Sequence, residues 1–436
     1  MKIYFYGSTE TVTGSNILLE DNNSKILIDC GLVQKERTCD IENFYPFPYD
    51  VQSIKAVLLT HAHLDHSGRL PKLIKEGFKG YVYSTPPTKD LAKEILLDSQ
   101  KIINQNCQEL NKQRIYSEEE IDKLLERWQT INYHQPLTID NFNIEFFNSG
   151  HILGSAFIKI NNLVISGDLG NKDKSLTQEL EPLPNVNYLV LESTYGNRLH
   201  KNLDTRINDL EKIIEKVIYE KRILLIPTFA LERAQEIIFD IQKLIETKKI
   251  PDIKIYLDSP LAKKISRIYE KYPEYLNHNA SVEILTEGLF NNDYLKIIEN
   301  DQDELEMIKK QPPKIILAGS GMIMGGKIVK ILDQYLNNEK LSILFIGYQA
   351  PESLGRKILD GEMKIKGEIL TLFSYSAHRD QAGILEWVKP QRFNLKEIFL
   401  VHGNNDEKKA LQTLIMDSLA LKTTIPHNKE NVFEIL

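Results

Sequence analysis

Seven short apolar runs in this chain each deliver an acidic residue or a histidine where the run stops. Asp29 ends KILID, His61 follows AVLLT, His151 follows EFFNSG and Asp168 ends LVISGD. Glu192 ends YLVLE, His378 follows TLFSYSA and His402 follows EIFLV. Runs of this length, rich in β-branched and aromatic residues and bounded by Gly, Asn or Asp, predict buried strands. Residues at the ends of parallel or layered strands share one rim, where their side chains can converge on a ligand. The pattern therefore demands a sheet-based domain with a polar centre at the strand ends.

The strand-rich style does not run unbroken. Residues 1–198 carry SKILID, IKAVLLT, FNIEFFN, NLVISGD and NYLVLES, interrupted by one helical region. Within that region Ser117 and Glu120 form a capping-box signature ahead of an apolar helical period. From 199 to 365 the pattern becomes strict alternation: a helix over 203–221, a strand at 222–228, a helix over 230–249 and a strand at 253–259. Further strands follow at 314–320 and 341–347, which predicts a parallel α/β sheet. No G-x-G-x-x-G follows its first strand, so no dinucleotide site is expected. Residues 366–436 return to the first style. The expected organisation is one domain, 1–198 plus 366–436, interrupted by another at 199–365.

The densest chemistry lies in Thr60-His61-Ala62-His63-Leu64-Asp65-His66. An extended chain would put 61, 63 and 65 on one face and turn His66 away. A turn after the strand instead gathers all four polar side chains around two nearby points. Three imidazoles and a carboxylate in six residues are costly to bury without a partner. A divalent metal supplies one, and imidazole suits zinc, manganese or iron better than magnesium or calcium. His151 and Asp168 lie among Gly and Ser residues, which let backbone approach closely. Alone, each would be an ordinary turn residue; beside the 61–66 cluster they become candidate ligands.

In order and context these residues resemble the metallo-β-lactamase superfamily. ESTYGNR (192–198), SAHRD (376–380) and the VHG around His402 resemble the extra motifs of its β-CASP group, as do PTFALERAQE, GSGMIMGG and FIGYQAPESLGR. That group includes RNA-processing nucleases, and the short prokaryotic members are the most similar. The resemblance implies an α/β fold, a four-layer αββα domain interrupted by an inserted parallel α/β domain. It implies that His61, His63 and His151 hold one metal, that Asp65, His66 and His402 hold a second, and that Asp168 bridges them. Asp29 would orient the histidines from behind. The two ions would be divalent transition metals, with zinc the first expectation and manganese also satisfying the donors. Asp65, Glu192 and His378 are the implied catalytic residues, the last two as a proton-handling pair. RNA-acting members resemble this chain in carrying His at the 402 position.

The implied chemistry is hydrolysis of RNA phosphodiester bonds by a hydroxide shared between two cations, endonucleolytic with 5′ exonuclease action as a companion. Ser320, Gly321, Arg356 and Arg379 are candidate contacts to substrate phosphates, as are Arg198 and Arg233. For Ser320 and Gly321 the plainer alternative is a strand-to-helix turn that needs glycine. Rival functions are a small-molecule ester hydrolase, a DNA-acting nuclease, and a catalytically silent RNA-binding subunit. The long insertion and the motifs at Glu192, His378 and His402 count against the first, His402 against the second, and the complete donor set against the third.

The net charge of −7 argues against a protein that holds nucleic acid by bulk electrostatics, although a local basic groove suffices for catalytic contact with single-stranded RNA. Although 42% of residues are hydrophobic, no apolar run reaches 18, so no membrane partner is expected. No secretory signal pattern opens the chain. Three cysteines, Cys30, Cys39 and Cys107, are too few for a disulfide framework. Cytoplasm is the expected compartment, and a homo-oligomer is left open.

Overall fold

A computed structural model describes residues 1–34, 40–109, 113–200, 205–286, 288, 290, 293–427 and 432–435. Cys39 lies outside the described residues; Cys30 is a buried free thiol and Cys107 is disulfide-bonded. The chain divides into two compact units. The first comprises 1–172, 179–199 and 377–436, and the second comprises 173–178 and 200–376.

The first unit holds two seven-stranded mixed sheets. In one, the antiparallel strands Lys2–Phe5, Ile17–Asp21 and Ser24–Ile28 lead into the parallel strands Ile54–Leu58, Tyr81–Ser84 and Trp128–Thr130. In the other, the antiparallel strands Leu137–Ile139, Phe142–Asn148, Ala156–Ile160 and Leu163–Ile165 continue into parallel Tyr188–Glu192, Glu397–Val401 and Thr423–Thr424. Alternation decides which side chains face inward. In Phe142–Asn148, Phe142, Ile144 and Phe146 are buried while Asn143 is exposed. Those three join Ile3, Ile26, Ile28 and Leu58 of the first sheet in one apolar layer between the sheets. The other parity, Phe157, Val164, Leu189, Leu191 and Leu400, packs with Trp387, Leu411 and Ile415 of the helices Gln381–Val388 and Asn405–Leu419. This is the sheet-on-sheet layering with outer helices that the resemblance to the metallo-β-lactamase superfamily implies.

The second unit holds a six-stranded, all-parallel sheet. Its inner strands Ile223–Pro227, Lys314–Ala318 and Leu341–Phe345 are buried at every position. Helices covering both faces of a parallel sheet produce such continuous apolar runs. Helix Lys327–Tyr335 buries Ile328, Ile331 and Leu332 against Leu225, Ile316 and Ile343 on one face.

One strand departs from expectation. Glu368–Thr371, expected to open the closing part of the first domain, pairs in parallel with Leu341–Phe345 and forms an edge of the second unit's sheet. His378 therefore does not sit at the end of a first-unit strand. It enters the first unit through an isolated antiparallel bridge to Gly170.

Candidate metal centre

Strand Ile54–Leu58 ends just before Thr60, and the chain then turns into a short helix, Leu64–Ser67. That turn splits the cluster. His61 and His63 face one point, while Asp65 and His66 face another. His151 follows Phe142–Asn148 through Gly150, whose φ is +68°. A Cβ on Gly170 would stand 2.0 Å from the Gly150 carbonyl oxygen, so only glycine lets the segments carrying His151 and Asp168 approach this closely. Asp29 and His402 each lie one residue past a strand, with φ of +58° and +51°. Such left-handed backbone is costly outside glycine and recurs at functional sites.

Asp168 stands at the centre of the arrangement and is 1% exposed. Its Oδ2 lies 3.4 Å from His61 Nε2 and 3.5 Å from His151 Nε2. His63 Nδ1 completes that group at 3.1 Å from His61 Nε2 and 3.2 Å from His151 Nε2. The other oxygen, Oδ1, faces a different set: His66 Nε2 at 3.2 Å and His402 Nε2 at 3.3 Å, with Asp65 Oδ2 3.8 Å from His402 Nε2. The two carboxylate oxygens thus face different sets of histidines.

These donors fit divalent metal. Ligands about 2.0–2.1 Å from a tetrahedral zinc stand roughly 3.3 Å from one another, close to the spacing of the first group. Asp168 Oδ1 and His66 Nε2 are buried yet take part in no hydrogen bond of acceptable geometry. Buried polar atoms left in that state ordinarily have an ion or water between them.

Protonation follows the same logic. Burial, then the neighbouring His61 ring, holds His63 well below the ordinary histidine range. Burial and His378 do the same to His151, and burial lowers His402. Each of these directions favours the neutral ring, which has a lone pair to offer. Burial also opposes charge on His66, but Asp168 and Asp29 outweigh it and raise its pKa well above the usual value. Burial opposes ionisation of Asp168; the rings of His402, His66 and His61 reverse this and hold it well below the carboxylate range.

A backing layer fixes the rings. Asp29 Oδ2 is 2.6 Å from His66 Nδ1 and accepts from Ser15 Oγ, while its Oδ1 accepts from the Thr60 amide at 2.9 Å. Thr60 Oγ1 lies 3.1 Å from His61 Nδ1, and Ser8 Oγ 3.4 Å from His402 Nδ1. Holding Nδ1 leaves Nε2 aimed inward, which is how outer partners tune a metal site. Nothing in the sequence marks Ser8, Ser15 and Thr60 for these roles. Their only signal is polarity within GSTETVTGS or beside a histidine.

Glu192 and His378 form a third group with Asp168. Glu192 is 1% exposed and accepts from the amides of Leu169 and Thr194. His378 Nδ1 lies 3.3 Å from the Glu192 carboxylate and 3.9 Å from Asp168 Oδ2.

The candidate phosphate contacts are distributed differently. Arg379, in the first unit, is mostly buried and donates to the Gly170 carbonyl. Ser320, Gly321 and Arg356 belong to the second unit. Ser320 Oγ accepts from the Met324 amide, the Gly321 carbonyl accepts from Gln349, and Arg356 pairs with Asp360 at 2.7 Å. Arg233 has its guanidinium 3.8 Å from Glu236, and Arg198 lies 3.5 Å from Glu407.

Comparison with known proteins identifies the family. Residues 18–166 match the metallo-β-lactamase superfamily domain, 234–358 the Beta-Casp domain, and 362–426 the Zn-dependent metallo-hydrolase RNA specificity domain. Ribonuclease TTHA0252 of Thermus thermophilus is 32% identical over 429 residues, covering 95% of this chain and 96% of that protein. The chain belongs to the β-CASP group of the metallo-β-lactamase superfamily. The transcription termination factor FttA of Methanothermobacter thermautotrophicus, also 32% identical, covers 98% of this β-CASP chain, which spans 70% of its length. A crystal structure of a protein of unknown function from Enterococcus faecalis, 13% identical, shares the fold with a TM-score of 0.57 over 99% of both chains. As a β-CASP protein the chain is a metal-dependent hydrolase of a superfamily that binds divalent metal, and its His/Asp cluster is the candidate site. Among the described residues no helix is long and apolar enough to cross a membrane.

Proposed function

We propose that this β-CASP protein is a ribonuclease with two divalent metals, zinc in the first instance, cutting single-stranded RNA internally and also acting from the 5′ end. The observation that carries the dinuclear part is Asp168, whose two oxygens face two separate donor groups. His61, His63 and His151 would hold one ion and Asp65, His66 and His402 the other, with Asp168 between them. Bound cations acidify water and neutralise charge on a phosphate.

The remaining work belongs to this chain's own groups. Glu192, fixed by two amides, holds His378 through Nδ1 and favours its charged form. His378 then has a proton to give from its other ring nitrogen to the departing ribose oxygen. Asp65 would serve catalysis as a ligand of the second ion, and Arg379 is a candidate phosphate contact, with Ser320, Gly321 and Arg356 as further ones on the inserted domain. RNA as substrate is supported by the relative named a ribonuclease, by the RNA specificity match over 362–426, and by the histidine at 402.

The deciding test is a product gel on end-labelled RNA and DNA of one sequence. RNA cleavage at internal positions, absent on DNA and abolished by His63→Ala, is expected. Equal cleavage of DNA, or products unchanged in His63→Ala, would overturn the assignment.

A further inference from the structure

Lys408 is a puzzle in its own element. It lies in the first turn of helix Asn405–Leu419, where the helix dipole disfavours a cation, and it is wholly buried. Burying an ammonium is costly unless it is hydrogen-bonded. Its Nζ donates to the Thr9 carbonyl, in the loop between the first two strands.

That loop touches two members of the second donor group, Asp65 and His402, and reaches the third, His66, through Asp29. The Ser8 carbonyl accepts from the His402 amide at 2.7 Å, and Ser8 Oγ faces His402 Nδ1. The Ser15 amide donates to the Asp65 carbonyl at 2.8 Å. Ser15 Oγ donates to Asp29, whose same oxygen holds His66. The loop is also closed on itself: a Cβ on Gly7 would stand 1.8 Å from the Gly14 carbonyl oxygen. The first group is braced by residues outside the loop: Thr60, which faces His61 and also donates to Asp29, and Ser155 Oγ, which accepts from the His151 amide.

We infer that the Gly7–Ser15 loop, pinned by Lys408, sets the position of Asp65, His66 and His402 and thereby the affinity for one of the two cations. Lys408 is a positioning residue: it touches neither ligand nor metal and acts through Thr9, Ser8 and His402. This inference rests on the two-metal reading above.

The test is zinc binding by metal-stripped protein, measured by equilibrium dialysis over graded free zinc, with no activity assay involved. Lys408→Met keeps the length of the side chain and removes the donor to Thr9. It is expected to weaken one cation by about tenfold or more while the other changes less than about twofold; lost outer partners ordinarily cost 10–100-fold. Ser8→Gly, at a residue with φ of +53° where glycine is unstrained, is expected to act in the same direction by at least about threefold. Two backgrounds identify the site. In His402→Ala, Lys408→Met should add nothing; in His151→Ala, it should weaken the cation that remains. Equal weakening of both cations, no weakening of either, or an effect confined to the His402→Ala background overturns the inference. If Lys408→Met does not fold, Ser8→Gly decides alone. Wild-type protein that saturates below two ions overturns the two-metal reading, and this inference with it.

Discussion

His378 and Asp168 lie 3.9 Å apart, yet their surroundings assign them different work. Asp168 offers one oxygen to each donor group, so Asp168→Ala should strip both cations, whereas His63→Ala should lower occupancy of one. Metal analysis of the two purified variants checks this; loss of a single ion from Asp168→Ala would mean that the carboxylate does not bridge. His378 is held through Nδ1 by a carboxylate and keeps 22% of its side chain exposed, as the proposed proton-donor role requires. His378→Ala should therefore retain the wild-type metal content and lose about 10²–10⁴-fold in turnover. Loss of metal instead would make His378 a ligand. At this scale the sequence was informative where chemistry is dense. His61 through His66 announce themselves because imidazoles and carboxylates rarely crowd together without cause. Ser8, Ser15 and Thr60 do not, because a hydroxyl's role depends on what the fold brings opposite it.

Elements were legible when burial was one-sided or complete. FNIEFFN alternates and is a half-buried strand, and the continuous runs near 223, 314 and 341 are central strands of a parallel sheet. Glu368–Thr371 misled for the same reason. An edge strand exposes alternate residues, so its pattern resembles the first unit's half-buried strands although it belongs to the other sheet. Polarity patterns report exposure, and exposure does not name the partner strand. Lys314 is a second element-scale feature hidden from the sequence. It opens a central strand, is 1% exposed, and donates from Nζ to the carbonyls of Met307 and Lys310 at 2.7 Å, capping helix Asp301–Lys309. Burial depresses its pKa to about 8. Lys314→Met leaves those carbonyls without a donor and should destabilise the second unit by roughly 2–4 kcal/mol, measured by denaturant unfolding. A change below about 0.5 kcal/mol would show that water replaces the ammonium.

The candidate metal donors lie in the first unit, and the second has its own core, so the two should respond to different perturbations. A ligand that binds only the folded state stabilises it by mass action. Chelation should therefore lower the first unit's thermal transition by several degrees and leave the second unit's in place. Acid provides the converse probe. In the second unit Asp240 is buried, accepts from Tyr375 Oη at 2.6 Å and lies 3.7 Å from Arg206. Burial raises its pKa to about 6, against the partial opposition of Arg206. Its unfolded value is near 3.9, so between these limits the folded state holds the extra proton. Stability from this group is fully present below about pH 4 and is lost as pH rises through 6, a swing on the order of 2–3 kcal/mol. Asp240→Asn, which cannot ionise, should remove that slope from the second transition in calorimetric scans between pH 4 and 7. The first transition should move with metal and ignore this substitution. A single transition shifting under both chelation and Asp240→Asn would mean that the two cores unfold as one cooperative body, and that metal at Asp168 stabilises a sheet to which it contributes no ligand.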